Sequence, residues 1–151
     1  MTNPLKTQAS TNLGLLLARL PMGAFFFLAG YDKVFHKGVD KFVELASSSA
    51  RPLPFEVSHG LMNGYLHAIP FLELIVGTWL VVGMLSRLSA FVGSLMLVSF
   101  IMGATGVQLA GAPFHPNLIY LGVTLCVLLA GPGSVSLDQL VFNRKKKKPA
   151  A

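Results

Sequence analysis

Arg19 and Glu73 are ionisable residues set in stretches that otherwise carry no charge, residues 13–31 (LGLLLARLPMGAFFFLAGY) and 65–83 (YLHAIPFLELIVGTWLVVG). An ionised side chain at bilayer depth costs at least about 2.5–3.5 kcal/mol, so such residues face the protein interior and find a partner. A guanidinium and a carboxylate in that setting can pair and hold two helices in register. They can equally form the polar floor for a quinone headgroup or a proton relay. Lys33 follows the first stretch, and His67 and His115 stand near the starts of the second and fourth apolar stretches. These three are candidates for an outer mouth above Arg19 and Glu73. Two histidines at similar depth also raise a bis-His haem or a metal site. No C-x-x-C-H motif accompanies them and neither falls in a deep pocket of small residues, so interface histidines bonded to loop backbone are expected instead. Hydrolase triads, P-loops, dinucleotide-binding glycine patterns and zinc spacings are absent from the sequence. Any chemistry must therefore use a lipid-soluble substrate or a partner protein.

The elements that position these residues follow from composition. Of 151 residues, 53% are hydrophobic and 12% charged, and the mean hydropathy is +0.64. Soluble domains carry about 25% charged residues, so this is an all-α membrane chain. A helix needs about 20 apolar residues to span the hydrocarbon. Four spans are predicted, at about 13–31, 65–83, 88–110 and 114–130, forming an antiparallel four-transmembrane-helix bundle within one membrane domain, 1–143. The first run is expected to be a retained span rather than a cleaved signal peptide. Cys126, the single cysteine, excludes an intrachain disulfide and is expected to be a small core residue.

A long loop, 32–64, joins spans one and two, with a short amphipathic helix predicted over 39–46. After span four, Ser136 and Gln139 fit a capping box that opens a short C-terminal interfacial helix. The tail 144–151 begins with the basic run Arg144–Lys148, which supplies most of the net charge of +6. Such a run is drawn to anionic headgroups. No aromatic residues interleave with it, so nucleic acid is not expected as a partner. The same run places both termini on the cytoplasmic side by the positive-inside rule.

Helical phase then assigns the inward faces. Arg19, Gly23, Phe26, Gly30 and Lys33 recur at steps of four and three, as do Pro70, Glu73, Gly77, Leu80 and Met84. Span three offers Ser89, Gly93, Met96, Phe100 and Gly103, and span four Asn117, Tyr120 and Thr124. Counted from the span midpoints, Arg19 and Glu73 lie at similar depth, so a direct pair between them is predicted. Pro70 is expected in the first turns of its helix, where a missing N–H costs little. Trp79 and the run Phe25–Phe26–Phe27 are expected to serve lipid contact and core packing.

The stretch LLARLPMGAFFFLAGYDKVF, with Arg19, Gly23, Gly30 and Lys33, resembles the start of DoxX-like membrane proteins. ELIVGTWLVVGMLSRLSAF resembles their second-span signature through Glu73, Gly77, Gly83 and Arg87, and GPGSVSLD (131–138) resembles their closing motif. The resemblance implies a four-helix protein of a bacterial inner membrane, associated with quinone-linked oxidoreductases. It implies an integral subunit of a quinone-linked redox complex, with a quinone as the candidate cofactor and no covalently bound group. The alternative is a non-catalytic accessory or assembly subunit of a larger membrane complex, or of a homo-oligomer. A small transporter is a third reading, disfavoured because no inverted repeat or broken mid-span helix is evident.

Overall fold

Alternating glycines and large apolar residues on one stripe let two long helices pack closely, and the rest of the fold is built around that pair. The computed structural model describes residues 4–49, 57–102, 116–131, 133 and 136–139. Helix α1 (Pro4–Tyr31) runs directly into a six-residue π-helical segment, Asp32–Lys37. Gly38 breaks it at φ 83°, a conformation that glycine adopts without steric cost. Its carbonyl accepts the Phe42 N–H and so opens α2 (Val39–Ser49). Helix α3 (His59–Val82) is capped by the Ser58 hydroxyl, which accepts the Leu61 N–H. Helices α4 (Ser86–Ile101) and α5 (Asn117–Ala130) complete the order. Every secondary-structure element among the described residues is helical, as the sequence predicts.

Two segments are long and apolar enough to cross a bilayer: Gln8–Lys37, of 30 residues, and His59–Val82, of 24. Ser86–Ile101 and Asn117–Ala130 are shorter apolar helices. The predicted span 88–110 is described only to residue 102, and residues 103–115, including Gly103 and His115, lie outside the described residues, as do 50–56 and the basic tail. The amphipathic helix predicted over 39–46 is present as α2, extended to Ser49.

Helix α1 lies antiparallel to α3, backbone against backbone. A Cβ built on Gly23 would stand 2.8 Å from Val81 N and 3.0 Å from Gly77 O, and one on Gly30 would stand 2.7 Å from Pro70 O. Helix α4 closes over this pair: a Cβ on Gly93 would stand 3.2 Å from Phe26 Cε2 and 3.3 Å from Val76 Cγ1. Helix α5 joins α4 through Ser94 Oγ, which lies 3.1 Å from Thr124 Oγ1, and meets α1 where the Phe25 and Tyr120 rings approach to 4.4 Å. Met22, Phe26, Leu66, Ile69, Val76, Leu80, Ala90 and Leu97 are buried at the centre.

Two expectations are corrected and a third is borne out. Pro70 is not in the first turns of its helix, because α3 begins at His59, six residues before the predicted start; it sits mid-helix and buried. Cys126 is exposed rather than in the core, because α5 turns Thr124 and Val127 inward and Cys126 to the outer surface. Phe26 is fully buried while its neighbours Phe25 and Phe27 stay exposed, so one ring of the three is core.

At the end remote from α2, the closing motif binds the helices together. Gly83 ends α3 in the left-handed conformation, and Leu85 follows with φ 48°, a conformation that costs a residue with a Cβ about 1–2 kcal/mol. Asp138 offsets this. Its Oδ1 accepts the Leu85 N–H at 2.8 Å, its Oδ2 accepts the Ser86 N–H at 2.9 Å, and its own N–H donates to Gly83 O at 3.1 Å. The carboxylate thus caps α4, in a position favoured by the helix dipole. Ser136 Oγ accepts the Gln139 N–H, the forward half of the predicted capping box. Asp138→Ala is expected to cost about 1–2 kcal/mol, read as an earlier midpoint in denaturant titration of the detergent-solubilised protein. An unchanged midpoint would mean that water caps α4 equally well.

Candidate functional site

Glu73 is 3% exposed, and its partner is Lys33. Lys33 Nζ donates to Glu73 Oε1 at 2.5 Å and to Oε2 at 2.6 Å. Both carboxylate oxygens are therefore engaged by one ammonium, the charge-assisted arrangement that a buried ion needs. The same ammonium lies 4.9 Å from the centre of the Phe42 ring and 5.9 Å from that of Phe100. Both are within range for attraction to the ring faces. Four elements thus meet at one point: the π-helical segment brings Lys33, α2 brings Phe42, α3 brings Glu73 and α4 brings Phe100.

Local sequence explains each position. The π-helical segment widens the chain just after α1, and such segments recur at functional sites. On its exposed side, Asp32 pairs with Lys37 at 2.6 Å. Phe42, Val43 and Ala46 form the buried stripe of α2, which seats that helix over the pair. Tyr65 lies two turns before Glu73 on α3, and its hydroxyl bonds to that of Ser99 on α4. Ser99 Oγ donates to Met96 O at 2.7 Å, so the Tyr65 O–H donates to Ser99. Tyr65 is also close enough to Glu73 to interact with it electrostatically.

Arg19 is not Glu73's partner. It is 2% exposed and lies across Gly83: a Cβ there would stand 2.6 Å from Arg19 Nη1 and 2.8 Å from Ser136 Cβ. The acidic residue it interacts with electrostatically is Asp138. The glycine contacts give the reason. Glu73 packs level with Gly30, whereas Arg19 packs level with Gly83, ten residues further along α3 or about 15 Å away at 1.5 Å per residue. Arg19 therefore belongs to the closing-motif cluster, and Glu73 to the α2 end.

His67 lies beside the pair but outside it. Its Nδ1–H donates to Asn63 O at 2.8 Å, and Nε2 stands 3.8 Å from Asp40 Oδ1 on α2. It links α2 to α3. His115 lies outside the described residues. Among these, no cluster of three or more His, Cys, Asp or Glu side chains could hold a metal. Sequence reasoning did not single out Phe42, Tyr65, Ser99 or Asp138 for these roles. Tyr65 carried a signal, since it shares the α3 face with Glu73 at a spacing of eight residues. Asp138 carried another, as the last residue of the GPGSVSLD motif.

Long apolar helices, a charged pair enclosed between them and a chain too apolar for a soluble core define an integral membrane protein. A family model described as DoxX matches residues 14–106, and the chain belongs to that family. No curated protein and no solved structure matches it.

Proposed function

We propose that this DoxX-family protein is the membrane subunit of a quinone-linked redox complex and that it holds a quinone headgroup beside Lys33 and Glu73. The observation that carries this reading is a carboxylate–ammonium pair enclosed by two phenylalanine rings and covered by a short helix. The donor set suits such a ligand. Lys33 can donate to a carbonyl oxygen, Tyr65 and Ser99 add hydroxyls, and Phe42 and Phe100 offer faces for a flat ring. A bound quinone supplies two-electron, two-proton redox chemistry. The protein's own residues orient it, keep bulk water out and carry protons at Glu73 Oε and Lys33 Nζ. The same reading takes residues 1–143 as one domain of four antiparallel spans, with both termini and the tail 144–151 cytoplasmic.

The test is extraction of the full-length protein from its membrane in mild detergent, followed by mass spectrometry of the organic extract. Quinone should co-purify in stoichiometric amount, and Glu73→Gln, which keeps the shape and removes the charge, should lower that amount. Purified wild type free of quinone would overturn the reading.

A second reading is a non-catalytic accessory subunit. It is favoured by one observation: Lys33 and Glu73 satisfy each other, both carboxylate oxygens being bonded to the one ammonium. In that case Glu73→Gln should reduce assembly with partner proteins and leave the activity of assembled complexes unchanged.

A further inference from the structure

The Lys33–Glu73 pair has different surroundings in its two directions along the helix axes. Toward α2, Lys33 is 20% exposed and is the second residue of the π-helical segment, whose Asp32 is half-buried and whose His36 and Lys37 are exposed. In the opposite direction, the layer next to Glu73 is Phe26, Val76 and Gly93, packed side chain to backbone across three helices. Below it, Met22, Leu80 and Ala90 are buried. Arg19 and Asp138 follow only after about 15 Å of this packing. Within this packing the Ser94 and Thr124 hydroxyls bond to each other and to carbonyls of their own helices, at Ala90 O and at Tyr120 O and Leu121 O.

We propose that Glu73 exchanges protons with one face of the membrane only, the face covered by α2, and that Lys33 is the port. Among the described residues, the ionisable groups near Glu73 are Lys33 from the π-helical segment and Tyr65 from its own helix; α1 presents Gly30, α2 Phe42 and α4 Phe100. The relay needs two steps. Lys33 Nζ–H breaks as the proton passes to a Glu73 oxygen, leaving a neutral amine and a neutral acid. A hydronium ion on the α2 face then gives its proton to the amine, which returns to ammonium and leaves a water molecule. Run backwards, the same steps release a proton to that face. Among the described residues, the other direction holds packed apolar side chains and the mutually bonded Ser94 and Thr124 hydroxyls, and no hydrogen bond joins these to Glu73.

Sealed vesicles test this with the full chain. In a Cys126→Ser background, Glu73→Cys is treated from either side with a membrane-impermeant cationic thiosulfonate, and Lys37→Cys and Met84→Cys mark the two faces. Modification from the Lys37 side alone is expected. Modification from the Met84 side, from both sides or from neither would overturn the inference. A second measurement needs no disruptive change. In wild-type vesicles the infrared carboxyl band assigned by its loss in Glu73→Gln should respond to a pH jump in the bath on the Lys37 side and not in the other. A response to the other bath, to both or to neither would count equally against it. The inference concerns the site proposed for quinone, but neither experiment contains quinone. Failure of quinone binding and failure of one-sided proton access are therefore distinguishable.

Discussion

Lys33→Met should cost about 3–5 kcal/mol of stability, because it strands a buried carboxylate that no other cation among the described residues neutralises. Glu73 is almost wholly enclosed, and both its oxygens are bonded to Lys33 Nζ. Removing the ammonium leaves the desolvation cost of the carboxylate in place and takes away what offset it. The double variant Lys33→Met, Glu73→Leu should recover most of the loss, since apolar replacements of a buried pair are often neutral or better. The measurement is a double-mutant cycle by denaturant titration in detergent micelles. Equal destabilisation in the single and double variants would show that the two charges do not depend on each other. The cycle also bears on function. A double variant that folds and assembles yet binds no quinone would assign the charges to ligand binding rather than to register.

Gly77→Ala should be the most damaging glycine-to-alanine change among the described helical glycines. The added Cβ would stand 2.7 Å from Phe27 Cα and 2.8 Å from Gly23 O. Both are backbone atoms, so no rotamer change relieves the clash and α1 and α3 must move apart. Overpacking of this kind costs about 1–3 kcal/mol, and more where nothing can yield. The displacement would also draw Lys33, carried just beyond α1, away from Glu73 on α3. Gly14→Ala and Gly122→Ala are the matched controls, since a Cβ at either meets nothing within 4 Å. They should be neutral or stabilising by up to about 1 kcal/mol through helix propensity. Thermal aggregation of the purified variants would separate the two classes. A Gly77→Ala protein as stable as the controls would mean that the helices do not pack this closely.

The inward faces of the helices were legible in the sequence because they depend only on a period of 3.6 residues. Arg19, Gly23, Phe26 and Gly30 on α1, and Glu73, Gly77 and Leu80 on α3, do share buried stripes. The amphipathic α2 was legible for the same reason. The register of α1 against α3 was not. Depth counted from the midpoints of apolar runs set Arg19 beside Glu73, but the helices do not begin and end where the apolar runs do. Helix α3 starts six residues before its predicted span, and α1 continues as the π-helical segment. The register follows the glycine contacts rather than the midpoints: they set Gly30 level with Glu73 and leave Lys33, just beyond the end of α1, as its partner. Glycines carried the missing signal. Matching Gly23 and Gly30 to the close approach around Gly77 brings Lys33 within a side chain's reach of Glu73. Phe42 and Phe100 could not be assigned to the site, because a ring that faces a cation and one that faces lipid look alike in sequence.

The cap on α4 has a consequence for the order in which the protein can be completed. Leu85 and Ser86 receive their acceptor from a residue 53 and 52 positions later in the chain. The ribosome therefore releases α3 and α4 before the carboxylate that closes their junction exists, and Arg19, made far earlier, waits longer still for Asp138. Until the last segment arrives, two amide donors and a buried guanidinium lack that counterpart. A chain cut short after Ala130 should thus be recognised as unfinished and degraded faster than one ending after the closing motif. Equal half-lives in pulse-chase would show that the junction forms without it.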